Sequence, residues 1–324
     1  MTVERAAAPA AEPAAGEAAR QLRHLEANVA RVFRGSPEAV RLAVVCLVAR
    51  GHMLIEDVPG VGKTTLAQAL ARSLDLPFQR IQFTSDLLPS DILGVSIWNQ
   101  HRETFEFVPG PIFASVVLAD EINRATPKTQ SALLEAMSER HVTVERRRLD
   151  LPDPFLVLAT QNPLEYLGTF PLPESQLDRF EMHLHLGYPA REQERDLLLA
   201  GGVAAELERL QPVLTTAEMR ALQLQAEQVR VAERLVDYVL ALAARTRRDE
   251  QFQLGVSTRA ALGLCRAAQA LALAEGRDFV TPDDVQRLAV PVLGHRVLLR
   301  RGAASLDAAR RALEVVLAET PVPV

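Results

Sequence analysis

The chain has 324 residues, of which 48% are hydrophobic and 24% charged, with a formal net charge of −5. That is enough for two ordinary domains around a sizeable core, and with aromatics at 5% the core must be mostly aliphatic. The acidic balance argues against a nucleic-acid binder, and no apolar run is long enough to span a membrane; no secretory leader is visible, so the expected location is cytoplasmic.

Residues 1–19 (MTVERAAAPAAEPAAGEAA) are rich in Ala, Pro and Glu and offer almost nothing large to bury, so they are expected to form a disordered arm. Helical patterning starts near Gln21. After Ser36-Pro37, the residues Val40, Val44, Leu47 and Val48 fall on one helix face, with Ser36 as N-cap and Pro37 in the first turn. Cys46 sits in this helix and Cys265 in a later one. Both lie among aliphatic residues without metal-ligand spacing, which predicts buried, reduced thiols.

Beyond Gly51 short apolar runs alternate with helical segments. The runs are Met53–Ile55, Phe78–Phe83, Ile112–Asp120, Phe155–Thr160 and Met182–Leu186. Runs of this length between helices predict a buried, mostly parallel sheet in a three-layer α/β domain. Two stretches break the rhythm. Val95 and Ile97 alternate, a polar turn follows, and Phe105 and Phe107 alternate back. Val142 and Val144 match Leu149 and Leu151 across Glu145–Arg148. Both read as β-hairpins. From Tyr188-Pro189 onward the strand signals end. Thr215 with Glu218 forms a capping box, and Thr281-Pro282-Asp283-Asp284 is a second strong helix start. The expected organisation is therefore an arm over 1–19, an α/β domain over 20–188, and an all-helical lid with a tail over 189–324.

The most informative stretch is an apolar strand running into Glu56-Asp57-Val58-Pro59-Gly60-Val61-Gly62-Lys63-Thr64-Thr65, then a helix to Leu74. Glycines let backbone N–H groups wrap phosphates, and the helix N-terminus adds partial positive charge. Residues 57–65 are thus candidate nucleotide ligands. Lys63 would reach the β- and γ-phosphates and the Thr64 hydroxyl would ligate Mg²⁺. The general phosphate-loop pattern begins with Gly, where this chain has Asp57.

Val116-Val117-Leu118-Ala119-Asp120-Glu121 is a buried-strand run ending in two carboxylates. Asp120 would hold Mg²⁺ and Glu121 would orient the attacking water. Leu156–Asn162 is another strand, ending in polar amides. If its end meets the others at one sheet edge, Asn162 reaches the γ-phosphate or the water.

Together, Gly60–Thr64, Asp120-Glu121 and Thr160-Gln161-Asn162 resemble Walker A, Walker B and sensor 1 of AAA+ ATPases. The wording is closer still to the MoxR branch, seen in Glu56–Gly60, Ala119–Ala125, Ala159–Pro163 and Leu172–Phe180. The resemblance covers about residues 20–300, and Asp57 is familiar in that branch. It implies ring assembly, usually as hexamers, with ATP and Mg²⁺ bound between neighbours. Arg179 then matches the arginine finger acting on the neighbour's γ-phosphate. Ser257-Thr258-Arg259 matches sensor 2, which implies that Arg259 contacts the same subunit's nucleotide. The hairpins match a helix 2 insert, carrying the sole tryptophan Trp98, and a pre-sensor 1 insert.

The function this resemblance implies is an ATP-driven chaperone that matures or activates protein complexes, often ones with von Willebrand factor A domains. The alternatives are the ATPase subunit of a chelatase-like complex and a nucleotide-dependent binding switch with low turnover. Arg146-Arg147-Arg148 reads as a solvated turn. His183 and His185 alternate on one strand but lack a carboxylate partner in pattern, which makes them poor metal candidates from sequence. Arg124 has either a structural role or a neighbour contact.

Overall fold

The computed structural model describes residues 14–145, 147–162, 168–300 and 306–323. Its centre is a five-stranded, wholly parallel sheet in the order β2-β5-β8-β1-β9. These strands are β1 (Met53–Glu56), β2 (Phe78–Gln82), β5 (Val116–Asp120), β8 (Leu156–Gln161) and β9 (Met182–Leu184). All five expected runs are present. Hairpin β3–β4 (Gly94–Asn99, Thr104–Pro109) and hairpin β6–β7 (His141–Val144, Arg147–Asp150) lie outside the sheet, as their alternation predicts.

Period-two alternation divides the sheet between two apolar clusters. Met53, Ile55, Val116, Leu118, Leu156, Leu158, Met182 and Leu184 face one side. Leu54, Val117, Ala119, Val157 and Ala159 face the other. On the first side lie α1 (Ala14–Ala30), α2 (Pro37–Val48) and α3 (Lys63–Ser73). On the second lie α4 (Pro89–Leu93) and α5 (Pro127–Glu139). A short α6 (Glu174–Leu177) precedes β9.

The chain then continues through α7 (Arg191–Ala200), α8 (Ala204–Glu208), α9 (Thr216–Glu227), α10 (Glu233–Arg248), α11 (Thr258–Ala274), α12 (Pro282–Leu293) and α13 (Leu306–Glu319). Thr215 caps α9 through reciprocal bonds with Glu218, and at the start of α12 the Asp284 carboxylate accepts from the Thr281 amide and hydroxyl. Proline occupies the first turn of α2, α5 and α12, where its missing N–H costs nothing.

Three expectations change. The stretch expected to be a disordered arm is helical from Ala14, because its alanines are strong helix formers and Ala18 and Ala19 are small enough to pack tightly. Residues 1–13 lie outside the described residues. The second half is not wholly helical: β10 (Phe252–Leu254) and β11 (Leu298–Leu299) form a two-stranded antiparallel ladder. Such short strands fall below what periodicity can register. The core of its helices is also not separate, since Leu264, Leu271, Leu288 and Val316 belong to the same apolar cluster as α1 to α3. Cys46 is fully buried and Cys265 partly so; burial pushes both thiols up.

His52, just before β1, is fixed in one neutral tautomer. Its Nδ1 accepts from the Val157 amide at 3.0 Å, which leaves Nε2 to donate to the Met137 carbonyl at 3.1 Å. Burial, aided by Arg140, lowers its pKa to about 4 from 6.5. Below pH 6.5 the unfolded chain therefore takes up a proton that the folded chain refuses until about pH 4. The His52 contribution to stability is complete above that window and is lost as pH falls through it. Urea unfolding should show a His52-dependent loss of about 2 kcal/mol between pH 7.5 and pH 5. His52→Gln should flatten that part of the profile; an unchanged slope would assign the acid sensitivity to other groups.

Candidate active site

Parallel pairing in register brings the ends of β1, β5 and β8 together. Glu56 lies opposite Gln161, and Ala119 opposite Ala159. The phosphate loop, the acidic pair and Asn162 therefore share one edge of the sheet, as expected for ligand binding in an open α/β fold.

In the loop, Gly60 and Gly62 have φ of 88° and 93°, a region that disfavours side chains. Gly62 is the N-cap of α3, so Lys63 and Thr64 open that helix with its free N–H groups facing the loop. Lys63 Nζ donates to the Asp57 carbonyl at 2.7 Å. Burial lowers its pKa, opposed by the charges of Asp120, Asp57 and Glu121. The ammonium thus stands half-buried between the loop and the acidic pair.

Asp57 does not need glycine's freedom, since its φ is negative. Its carboxylate instead ties three backbone amides. Oδ1 accepts from Val58, and Oδ2 accepts from Leu186 and Gly187, all at 2.8 Å. The aspartate thus fixes the loop to the segment after β9.

The acidic pair is organised from β8. Thr160 is fully buried, its hydroxyl donating to Asp120 Oδ1 at 2.6 Å and accepting from the Glu121 amide at 2.9 Å. Arg80 of β2 binds the other Asp120 oxygen. Glu121 has φ 58° and ψ 49°, a left-handed conformation uncommon for a side-chain-bearing residue. Gln82 at 2.8 Å and Arg124 at 3.2 Å hold its carboxylate. Arg124 is therefore part of this cluster. Asn162 is buried at the end of β8.

Arg80 and Gln82 were not anticipated from sequence. Their alternation on β2 was visible, but only the strand order puts β2 beside β5. A cavity of about 380 Å³ also lies beside the loop. Val32, Phe33, Arg34 and Gly35 line it on one side, and Leu198 and Gly202 on the other. Its walls come from distant parts of the chain, so no local motif marks it.

Arg179 and Arg259 lie elsewhere. Arg179 Nη1 donates to the Leu134 carbonyl and to Ser138 Oγ, both at 2.8 Å. Arg259 has a side chain 62% exposed and stands 3.9 Å from Asp178. Both line a cleft of about 360 Å³ with Gly51 and His52, at the N-terminal end of β1. The phosphate loop is at the other end, and β1 alone spans roughly 13 Å. Arg259 therefore stands at the opposite end of β1 from the phosphate loop of its own chain, whereas the resemblance implied a contact with the same subunit's nucleotide. Helix α11 packs against α1, α2 and α9, which carries its start to Asp178 instead. The cleft is lined by Arg50, Arg140, Arg179, Arg259, Arg266 and Arg296 against Asp178, Glu181 and Glu227, a surplus of positive charge.

The hairpin aromatics divide between self-packing and exposure. Trp98 meets Phe105 edge-on at 5.2 Å, yet stays 51% exposed. Arg147 and Arg148 are exposed, with Arg148 paired to Asp150; Arg146 lies outside the described residues. No described helix is long and apolar enough to cross a membrane.

Comparison with known proteins agrees with this geometry. A model of the "ATPase family associated with various cellular activities (AAA)" matches residues 52–182, and one of an AAA lid domain matches residues 244–315. Chaperone MoxR1 of Mycobacterium tuberculosis is 44% identical over 84% of this chain and 74% of its own length. Protein MoxR of Paracoccus denitrificans is 32% identical over 94% and 96%, and the uncharacterized protein YeaC of Bacillus subtilis 50% over 84% and 85%. A crystal structure of a candidate ATPase from Cytophaga hutchinsonii superposes with a TM-score of 0.87 at 36% identity, covering 96% of this chain and 97% of that one.

Thr160→Val keeps the shape of the side chain and removes both bonds to the acidic pair. It should lower stability by about 1–3 kcal/mol in chemical denaturation, with any nucleotide turnover falling further than stability predicts. Wild-type stability in the variant would mean the hydroxyl bridge is dispensable.

Proposed function

The chain belongs to the MoxR family of AAA+ ATPases, and from that premise we propose that it hydrolyses ATP to ADP and phosphate at sites completed by a neighbouring chain in a ring, to remodel partner proteins.

 The observation that carries this reading is the division of one ATPase constellation between opposite ends of a parallel sheet. Phosphate-binding and acid groups stand at one end, and two family-matched arginines at the other. A second copy of the chain would bring the two halves together.

In this reading the loop amides of residues 57–65 and the Lys63 ammonium hold the phosphates, while the cavity beside Phe33 and Leu198 takes the adenosine. The Thr64 hydroxyl and Asp120 would hold Mg²⁺, and the donor set fits: hard oxygens beside a phosphate cradle. When bound, that ion neutralises charge on the β- and γ-phosphate oxygens. Glu121, fixed by Gln82 and Arg124, orients a water for in-line attack on the γ-phosphorus and accepts its proton. The bond to the bridging oxygen breaks, and the electron pair leaves with ADP. Asn162 hydrogen-bonds the γ-phosphate or the water. Arg179 and Arg259 of one chain would stabilise the developing charge in its neighbour.

The hexameric ring, the cytoplasmic location and a client with a von Willebrand factor A domain come from the family resemblance. The relative named as a chaperone supports the remodelling role. The exposed hairpin carrying Val95, Ile97, Trp98 and Phe105 is the surface offered to a client.

Glu121→Gln should keep ATP binding, measured by a fluorescent analogue, while hydrolysis falls by at least about 100-fold. Unchanged turnover would remove Glu121 from its role. Mixing experiments test the shared site. Chains with Lys63→Ala mixed with chains carrying Arg179→Ala or Arg259→Ala should recover part of the turnover. Arg179→Ala mixed with Arg259→Ala should recover none, because each donor chain then lacks one arginine. Recovery in that last mixture would return Arg259 to its own subunit's nucleotide.

A further inference from the structure

The two histidines that lacked a carboxylate in sequence acquire one in the fold. On β9, His183 pairs in register with Leu54 of β1, so the next side chain of β1 on that face, Glu56, comes beside His185. Ligand atoms of Glu56, His183 and His185 all lie within 4.8 Å of one another. Among the described residues this is the one such group of three or more His, Cys, Asp or Glu side chains.

A second observation points to a ligand. His183 is 8% exposed, and its Nε2 has no well-directed hydrogen bond. It faces Glu56 Oε2, also buried and also without one, at 3.3 Å. The two buried atoms have only each other at poor hydrogen-bond geometry, and an ion bound by both would satisfy them more fully. Bonds of about 2.1 Å to a tetrahedral ion put two ligand atoms about 3.4 Å apart, which is the spacing this pair already has. The His185 ring stands 4.9 Å from that of His183, at 85° to it, and is exposed, so it can turn inward.

We propose that Glu56, His183 and His185 form a second metal site, distinct from the nucleotide's Mg²⁺, for a borderline divalent transition ion such as Zn²⁺. Two imidazoles and one carboxylate match the donor preference of Zn²⁺, whereas Mg²⁺ and Ca²⁺ select oxygen. Three protein ligands leave a fourth position for water beside the exposed His185. The ion would cross-link β1 to β9 one residue before Asp57, whose carboxylate already ties the phosphate loop to Leu186 and Gly187. The site is therefore a staple at the root of the loop.

The test uses the full chain without a histidine tag, freed of nucleotide and treated with chelator. Zn²⁺ is titrated in competition with a chromophoric chelator, and Co²⁺ is followed by its visible absorption. One ion per chain is expected, with a Co²⁺ spectrum of tetrahedral intensity and a rise in Tm on adding Zn²⁺. His185→Ala, at an exposed position, and Glu56→Gln should each weaken binding by about tenfold or more and abolish the Tm rise. Asp120→Asn should leave the binding intact. Absence of saturable binding would overturn the proposal. So would binding that survives His185→Ala, or that disappears in Asp120→Asn.

Discussion

The parallel direction of all five sheet strands is the constraint on which the rest of this molecule depends. Every strand that ends in chemistry ends at the same edge: β1 in the phosphate loop, β5 in Asp120 and Glu121, β8 in Asn162. The same geometry sends whatever precedes β1 and β9 to the opposite edge. Arg179, three residues before β9, is therefore carried away from the phosphates of its own chain, and the start of α11 docks Arg259 beside it. The two family-matched arginines and the phosphate loop of one chain thus stand at opposite ends of the sheet.

At the phosphate edge, side chains from neighbouring strands hold each group in place. One buried hydroxyl, that of Thr160, serves both an Asp120 oxygen and the Glu121 amide, coupling the two acidic residues. Glu121 is kept in a left-handed conformation while Gln82 and Arg124 hold its carboxylate. Backbone strain of this kind persists only where surrounding contacts over-determine it, and here they come from three separate elements. Asp57 does the same for the loop by satisfying three amides at once.

The helical second half is joined to the sheet through a shared apolar core. Its apolar residues are continuous with those of α1, α2 and one face of the sheet, so its position is fixed by burial rather than by a hinge of polar contacts. That packing decides where Arg259 stands. The buried Arg296 and Glu181 strengthen the join, lying 3.6 Å apart between β9 and the segment after α12. The same neighbourhood brings His295 within 5.9 Å of His183.

The sequence by itself determined what local periodicity and local chemistry can carry. The five core strands follow from apolar runs, the two hairpins from alternation across polar turns, and the helix starts from proline and capping residues. The phosphate loop and acidic pair follow from residue types that their chemistry requires at adjacent positions. Tertiary structure decided what depends on strand order and on packing between distant segments. Arg80 and Gln82 reach the acidic pair because β2 lies beside β5, and Glu56 meets two histidines because β9 lies beside β1. The edge on which Arg259 stands was set by the docking of α11 onto α1 and α2. Sequence spacing records which groups a segment owns, while only the burial of its apolar face fixes which other groups those will meet.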